Sequence, residues 1–477
     1  MERFFKSDSF KFWLFALAIF LSRLPFLSQG YGLDGDSWSV AIIARNIAET
    51  GIYEASRFPG YPVQEFICSL FYNGTAWRLN LLTAIISTIG ILFFALTLKT
   101  WKFKYVFLAS AALAFVPIVY INSTTTIDYV WALSFMLISL YCVARYNALL
   151  AGVFLGIAIG CRITSGAMLI PFAVMILQTG ERKENIIRLL KFVLTTLVVG
   201  ALLYLPVYSR YGSQFFMYYD LPYPSISKVL YKFFIETWGL VGLAALFISV
   251  AVFFLSHGSA ARKYLFPRSI NEKYVVAWLI AIDLYIIAFL KLPMESGYLI
   301  PIIPFVILIF GKYLYSNAFS FLAVMLILSS FFFNISPVER EDAPTASSLS
   351  FTFNQGEEKL SVDVLDGPMM SYESRRTNGM KFTADLLQSF DTLRRKSLLV
   401  CGRWYNQLYL QRKSVSEMDI QIRDYIKQDS LLYFVGKGYD IYYLPKQDYY
   451  NRLMRDVDIN LFGAKNYIKE MRGTIAP

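Results

Sequence analysis

The sequence is nearly devoid of histidine, with His257 as its one such residue among 477. Histidine-based acid–base catalysis and zinc sites built from imidazole ligands are therefore nearly excluded. Cysteine is also scarce: the four residues Cys68, Cys142, Cys161 and Cys401 share no metal-ligand spacing, and we expect them to be inert. No Gly-x-Ser-x-Gly frame is present, so the motif of a serine hydrolase is missing too.

Charged residues are few, at 17% of the chain, whereas 56% of the residues are hydrophobic and 17% are aromatic. These proportions are typical of a polytopic membrane protein. The net charge of +11 does not indicate nucleic-acid binding, because Lys and Arg gather in short loops between hydrophobic runs. No small-residue cleavage site precedes Arg23, so the first hydrophobic run is interpreted as an uncleaved span.

Hydrophobic runs of about 20 residues, the length that crosses a hydrocarbon layer of about 30 Å, predict most of the spans. The runs cover residues 11–29, 77–97, 105–121, 129–144, 188–208, 236–256, 274–290, 298–311 and 316–334. The positive-inside rule puts basic loops on both sides of residues 147–179 in the cytoplasm. This stretch must therefore cross twice, as helices over 147–160 and 163–179 that meet near Arg162, which gives eleven crossings from a cytoplasmic N-terminus.

The topology puts a set of ionisable residues together on the outer side of the membrane, at the ends of spans. The set comprises Asp34, Asp36, Arg57, Asp128, Arg162, Lys291 and Glu295. Charges at membrane depth cost about 2.5 to 3.5 kcal/mol each on insertion scales, so their common side predicts a polar cavity. For Arg57 or Lys291 alone, a side chain that snorkels to the interface is an equally good interpretation.

The composition turns polar from about Glu339, which predicts a second domain. The expected fold class is an α-helical polytopic membrane protein with a small C-terminal α/β extramembrane domain. Residues 1–338 form its transmembrane domain, with an outer loop at 30–76, and residues 339–477 form the outer-face domain. Strands are predicted at 397–401, 431–435 and 441–444, and helices at 383–395 and 416–427.

A series of motifs resembles those of the GT-C superfamily, the integral-membrane glycosyltransferases related to protein O-mannosyltransferases and aminoarabinose transferases. The motifs are Asp34-Gly-Asp36-Ser, Ala44-Arg-Asn-Ile-Ala48, Arg57-Phe-Pro-Gly-Tyr-Pro62, Asn122-Ser-Thr-Thr-Thr-Ile-Asp128, Gly156-Ile-Ala-Ile-Gly-Cys-Arg162 and Lys291-Leu-Pro-Met-Glu295-Ser-Gly-Tyr298-Leu-Ile-Pro301. The resemblance covers about residues 10 to 335. Ser37 follows Asp36 where relatives carry an Asp-Glu pair, so the choice of catalytic acid stays open.

The resemblance implies transfer of a sugar from a polyprenyl-phosphate donor to a lipid, glycan or protein acceptor, with inversion at the anomeric carbon. The reaction would take place at the outer face of a prokaryotic cytoplasmic (inner) membrane, among membrane lipids and without nucleic acid. The general base is expected to be Asp36, with Asp34 in reserve.

The other roles that the resemblance implies are binding roles. The departing phosphate is assigned to Arg162, followed by Arg57 and Lys291, because guanidinium presents a planar fork of donors to phosphate. The sugar hydroxyls are assigned to Asp128, Glu295 and Tyr298.

Several alternatives remain open at this point. Asp34 and Asp36 also have the spacing of a Mg²⁺ or Mn²⁺ site, and equally of a turn that caps the helix beginning near Ser37. No cofactor is required by the sequence. A transporter or lipid flippase is the main functional alternative, although the chain has no internal repeat of the kind common in transporters. A catalytically inactive scaffold is a third interpretation.

Overall fold

The computed structural model describes residues 8–178, 182–216, 223–257, 273–338, 350–355, 358–390, 396–412, 420–444, 454, 457 and 465–467. Within these residues the protein is mainly helical, and two small sheets follow the hydrophobic part of the chain.

Six helical segments are long and apolar enough to cross a membrane, namely Asp8–Phe26, Ala76–Thr100, Arg182–Phe215, Ile226–Ser256, Tyr274–Lys291 and Ser296–Tyr313. Shorter apolar helices span Val106–Phe115, Tyr129–Ala144, Ala148–Cys161, Ile163–Leu177 and Ser316–Leu328. Every span predicted from the sequence overlaps one of these segments, so the multi-pass membrane character is confirmed. The number of eleven crossings and the orientation remain predictions.

The helices are numbered here in chain order. They are α1 (Asp8–Arg23), α2 (Gly35–Thr50), α3 (Pro62–Phe71), α4 (Ala76–Thr100), α5 (Val106–Phe115), α6 (Pro117–Asn122), α7 (Tyr129–Ala144), α8 (Ala148–Cys161), α9 (Leu169–Leu177), α10 (Arg182–Tyr211), α11 (Ile226–Leu230), α12 (Thr237–His257), α13 (Lys273–Lys291), α14 (Ile303–Tyr313), α15 (Ser316–Leu328), α16 (Pro368–Phe390), α17 (Tyr405–Gln411) and α18 (Gln428–Gly436). A π-helix at Tyr231–Glu236 connects α11 to α12.

The break near Arg162 is present. Helix α8 ends at Cys161, Arg162 has an extended backbone with φ −161° and ψ 115°, and a 3-10 helix at Ile163–Met168 leads into α9. The extended residue separates two short helices, as the charge pattern of the flanking loops predicts.

Glycines bring α8 against α10. A Cβ atom on Gly152 would lie 2.7 Å from the carbonyl oxygen of Phe192, and one on Gly156 would lie 2.6 Å from Cβ of Val199. Small residues at this four-residue spacing let two membrane helices approach closely enough to pack backbone against side chain. The contact fixes the end of α8, and with it Arg162.

The stretch between the first two spans is largely helical. Asp34 precedes α2 with an extended backbone, at φ −77° and ψ 140°, but its side chain makes no capping hydrogen bond. Capping by Asp34, the structural alternative for this motif, is therefore not what the fold uses. Asp36 lies in the first turn of α2.

Two sheets lie beyond α15. Strand β1 (Asn334–Val338) pairs antiparallel with β3 (Glu358–Asp363), which also pairs with β2 (Ser350–Gln355). The second sheet is parallel, with β4 (Ser397–Val400) between β5 (Ile420–Arg423) and β6 (Asp440–Tyr443), and with β7 (Lys465–Asn466) at its edge. The first sheet thus joins residues from both sides of position 339.

Two local predictions in this region are wrong. Residues 431–435, predicted as a strand, lie within helix α18, where Leu431 is buried and Leu432 and Tyr433 are exposed. The prediction failed because the periodicity of a short apolar run does not distinguish a strand from a helix. The predicted helix at 416–427 instead contains β5, in which buried Ile420 and Ile422 alternate with more exposed neighbours. Residues 391–395 of the other predicted helix, and 416–419 of this one, lie outside the described residues.

Candidate functional site

A buried carboxylate, Glu65, organises the segment that carries Arg57. It accepts hydrogen bonds from the Tyr53 hydroxyl (2.5 Å), the Ser56 amide (2.7 Å), the Ser56 hydroxyl (2.6 Å) and the Tyr61 amide (3.0 Å). Burial raises the pKa of Glu65, and the four donors oppose that rise by stabilising the ionised form. Because its partners lie on both sides of Arg57, Glu65 holds that residue in place.

Four charged side chains form one continuous chain of ion pairs. Nε of Arg57 lies 3.2 Å from Oδ2 of Asp36, and its Nη2 pairs with Oδ1 of Asp128. Oδ2 of Asp128 pairs in turn with Nη1 of Arg162. Both oxygens of Asp128 are thus taken by guanidinium groups, and its side chain is 0% exposed, whereas Asp36 is 43% exposed.

The two arginines lie among tyrosine rings. The guanidinium carbon of Arg57 is 4.1 Å from the ring centre of Tyr61, and that of Arg162 is 4.1 Å from Tyr129 and 4.6 Å from Tyr298. Each ring offers its negative face to a cation, which compensates in part for the burial of the guanidinium groups. The rings also fix the planes in which the remaining N–H groups point.

Some donors of this cluster have no acceptor. Nη1 of Arg57 and Nε of Arg162 are buried, and no atom of the residues that the structure describes accepts a hydrogen bond from either. A buried donor without a partner is costly, so native proteins rarely leave one without a ligand or water. Two such donors on adjacent guanidinium groups are suited to an anion with several oxygens, such as a phosphate.

Asp34 differs from Asp36 in its surroundings. Protein atoms crowd the Asp34 carboxyl although solvent still reaches it, and this partial desolvation, with the nearby charge of Asp36, raises its pKa to about 6. A carboxyl in this range changes its charge close to neutral pH.

The possible metal site at Asp34 and Asp36 gains no support from the geometry. In the described part of the chain, no three His, Cys, Asp or Glu side chains converge in a way that could hold a metal ion. Arg57 also presents its positive charge to Asp36, where a cation would have to bind. The residues therefore do not fit a resident Mg²⁺ or Mn²⁺.

A second charged cluster adjoins Asp34. Nζ of Lys232 donates to the carbonyl oxygen of Met294 at 2.5 Å and lies 3.8 Å from Glu295 and 4.0 Å from Glu236. Partial desolvation by the surrounding protein atoms raises the pKa of Glu295 to about 8 despite the attraction of Lys232, and the charge of Asp34 contributes to the rise. Lys232 was not among the predicted site residues. The sequence feature that could have identified it is its position four residues before Glu236, in a stretch rich in aromatic residues.

The structure thus gathers most of the residues expected from the sequence. Five of them form a series in which each side chain contacts the next: Asp36, Arg57, Asp128, Arg162 and Tyr298. Two more, Asp34 and Glu295, interact electrostatically with each other and with Lys232 of the second cluster. Lys291 does not join them: it is exposed at the end of α13, and it makes no ion pair with any residue that the structure describes. Lys232, which was not expected, instead joins Glu295 in the second cluster.

No protein-family model matches the chain, and no curated protein sequence matches it either. Among solved structures, the crystal structure of ArnT from Cupriavidus metallidurans in the apo state superposes with a TM-score of 0.53 over 94% of each chain, at 12% sequence identity. At that identity the likeness concerns the fold. The protein is therefore a multi-pass membrane protein that shares the fold of ArnT.

Proposed function

We propose that the protein is an inverting glycosyltransferase that moves a sugar from a polyprenyl-phosphate donor to an acceptor hydroxyl at the outer face of the membrane. The observation that carries the proposal is the pair of buried guanidinium groups with unaccepted N–H donors, next to the half-exposed carboxylate of Asp36. The shared fold with ArnT supports the same class of reaction.

The arginines bind the departing phosphate. Nη1 of Arg57 and Nε of Arg162 donate to its oxygens, and their fixed charge stabilises the negative charge that grows as the sugar leaves. Asp128 is completely buried and both of its oxygens already accept from guanidinium groups, so we assign it a different role from the one expected. It orients both guanidinium groups and balances their charge while the donor is absent.

Asp36 is the general base. Its carboxylate accepts the proton of the acceptor hydroxyl while the oxygen of that hydroxyl attacks the anomeric carbon. The bond from that carbon to the phosphate oxygen breaks, and its electron pair leaves with the polyprenyl phosphate. Attack opposite the leaving group inverts the anomeric configuration. Asp34, with a pKa of about 6, is the second candidate for the proton.

Sugar hydroxyls are assigned to Glu295 and Tyr298, which flank the arginines. Tyr298 lies against Arg162, and Glu295 is 42% exposed at the edge of the second cluster. Both are thus open to a group held between the phosphate site and Asp34. The donor sugar and the acceptor remain unassigned.

The test is an assay of polyprenyl phosphate release by the purified protein from candidate lipid-linked sugars. We expect Asp36→Asn to lower turnover about 100- to 10,000-fold, the range typical of a lost general base. Glu49→Gln, an exposed change on the same helix, is the matched control and should keep wild-type turnover. Full turnover in both Asp36→Asn and Asp34→Asn would contradict the mechanism.

A lipid or sugar flippase is the alternative function. It would move the lipid-linked sugar across a vesicle membrane without cleaving the bond to phosphate. Translocation by the wild type in the absence of any polyprenyl phosphate release would favour this alternative over the transferase.

A further inference from the structure

Helix α16, far along the chain, reaches back to the segment that precedes the two acids. The side chain of Arg376 is completely buried. Its guanidinium donates to the carbonyl oxygens of Phe26 (3.0 Å), Gln29 (3.0 Å) and Gly30 (2.6 Å), and it pairs with Glu373 at 3.1 Å. One side chain therefore binds three carbonyl groups of a single turn of the backbone.

The same turn is also bound by Asn80 of α4 and by Thr126, in the loop before α7. Nδ2 of Asn80 donates to the carbonyl oxygens of Leu27 and Gly30, both at 2.9 Å. The amide of Thr126 donates to the carbonyl oxygen of Tyr31 at 2.8 Å, and its hydroxyl donates to Asn80. Residues 26–31 are thus held by α4, by the loop before α7 and by α16, and the carbonyl oxygen of Gly30 accepts from both helices.

Two further contacts bracket Asp34. The hydroxyl of Tyr372 accepts a hydrogen bond from the Leu33 amide at 3.0 Å. Nδ2 of Asn406, at the start of α17, donates to the carbonyl oxygen of Gly35 at 2.9 Å. The residue on each side of Asp34 is therefore tied to the C-terminal part of the chain.

We infer that Arg376 and Tyr372 are positioning residues of the reaction centre, which hold residues 26–35 in the conformation that presents Asp34 and Asp36. The role of these acids rests on the proposed function, whereas the restraint on their segment does not. Lysine cannot replace Arg376, because a single ammonium group lacks the planar fork that reaches three carbonyl oxygens at once. The C-terminal region is then a working part of the site and not an appendage.

The first experiment measures hydrogen–deuterium exchange in residues 27–38 of the full-length protein in lipid nanodiscs. We expect amide exchange in this segment to be about 10-fold faster or more in Arg376→Met and Arg376→Lys, because their local restraint is lost. Tyr372→Phe removes one acceptor and should accelerate Leu33 selectively. Lys381→Met, an exposed change on the same helix, should leave the exchange unchanged.

The second experiment measures steady-state kinetics with the lipid-linked donor. A shift of about 1 Å in a catalytic group can cost about 100-fold, so kcat should fall 10- to 100-fold in Arg376→Lys and Arg376→Met. The KM for the donor should change less than threefold, since the arginines that bind phosphate are untouched. A purely structural role would lower the amount of folded protein and leave kcat per folded molecule at the wild-type value.

The outcomes separate the two proposals. Unchanged exchange at residues 27–38 in both Arg376→Met and Tyr372→Phe overturns the positioning role, whatever the activity. Faster exchange with unchanged kcat overturns it as well. Absence of donor cleavage by the wild type would instead count against the proposed function, and the exchange data alone would then decide whether the segment is held by α16.

Discussion

Asp128 is the residue whose position most constrains the chemistry. It lies at the start of α7 and is fully buried between Arg57 and Arg162, so one carboxylate organises two cations. Two buried guanidinium groups repel each other and lose hydration, and a shared carboxylate offsets both costs only while it stays ionised. The proposed phosphate site is thus built around a carboxylate that need not touch the substrate.

We expect Asp128→Asn to impair both stability and turnover. Breaking a buried ion pair by removing one partner costs about 3 to 5 kcal/mol, since the remaining charge stays buried without compensation. Thermal unfolding in detergent should shift downward, and polyprenyl phosphate release should fall at least 100-fold. Wild-type turnover in a folded Asp128→Asn protein would show that the two arginines do not depend on this residue.

The pH dependence of turnover follows from Asp34. Its pKa is raised to about 6, first by partial desolvation and then by the charge of Asp36, so Asp34 loses its charge as the pH falls through about 6. In the proposed reaction, ionised Asp34 would stabilise the positive charge that develops on the sugar in the transition state. We therefore expect kcat/KM to decline below about pH 6.

In the Asp34→Asn variant, kcat/KM should no longer decline as the pH falls below about 6, and its value above that pH should be lower than in the wild type. Measurement of kcat/KM from pH 5 to 8 in both proteins checks the expectation. Complete loss of turnover in Asp34→Asn, with activity retained in Asp36→Asn, would assign the proton to Asp34 instead.

At the scale of elements, the site depends on how helices end. Arg162 follows the last residue of α8, Asp128 precedes α7, Asp36 lies in the first turn of α2, and Glu295 precedes the 3-10 helix Ser296–Ile302. Helix ends are where backbone groups lack intrahelical partners and where charged side chains reach water most easily. The charged residues of the site thus lie at helix ends and not in the middle of a predicted span.

The contact between α8 and α10 sets where one of these ends lies. Gly156→Ala would put a Cβ 2.6 Å from Cβ of Val199, and overpacking of this kind costs about 1 to 3 kcal/mol. Gly166→Ala is the matched control, because its Cβ would meet its nearest neighbour at 3.8 Å. Thermal unfolding should be lowered in the first variant and unchanged in the second, and equal values would refute the packing argument.

At the scale of the whole molecule, the acids and arginines can share one side of the membrane only if the chain has the predicted topology. The predicted orientation has a cytoplasmic N-terminus, the basic loop at 99–104 inside and the region after 339 outside. The native cysteines Cys68, Cys142, Cys161 and Cys401 are all buried, so they offer little background to a labelling reagent. The molecule is therefore suited to topology mapping with introduced thiols.

We expect a cysteine at Lys381 to react with a membrane-impermeant maleimide added to intact cells. A cysteine at Lys102 should react only after the membrane is permeabilised. Both positions are solvent-exposed in the structure. Labelling of position 381 from the cytoplasmic side alone would contradict the orientation and, with it, the outer-face reaction.

Much of this architecture was accessible from the sequence. Span positions follow from hydrophobic length, and the break at Arg162 follows from the sidedness of the basic loops, because both depend on local composition and on the cost of charge in a bilayer. The outer side for the acids and arginines is predicted on the same basis, and it stays a prediction. In the C-terminal region local composition was a weaker guide. A strand was predicted at 431–435, which is helical, and a helix was predicted over 420–423, which is a strand.

Contacts between distant segments were decided by the tertiary structure. Asp128 pairs with two arginines that come from other segments of the chain, and Lys232, within a π-helix, lies beside Glu295. Arg376 binds Gly30 across 346 residues of chain. Hydrophobicity determines which segments enter the membrane, but the partner of a buried charge depends on side-chain geometry that no local pattern encodes.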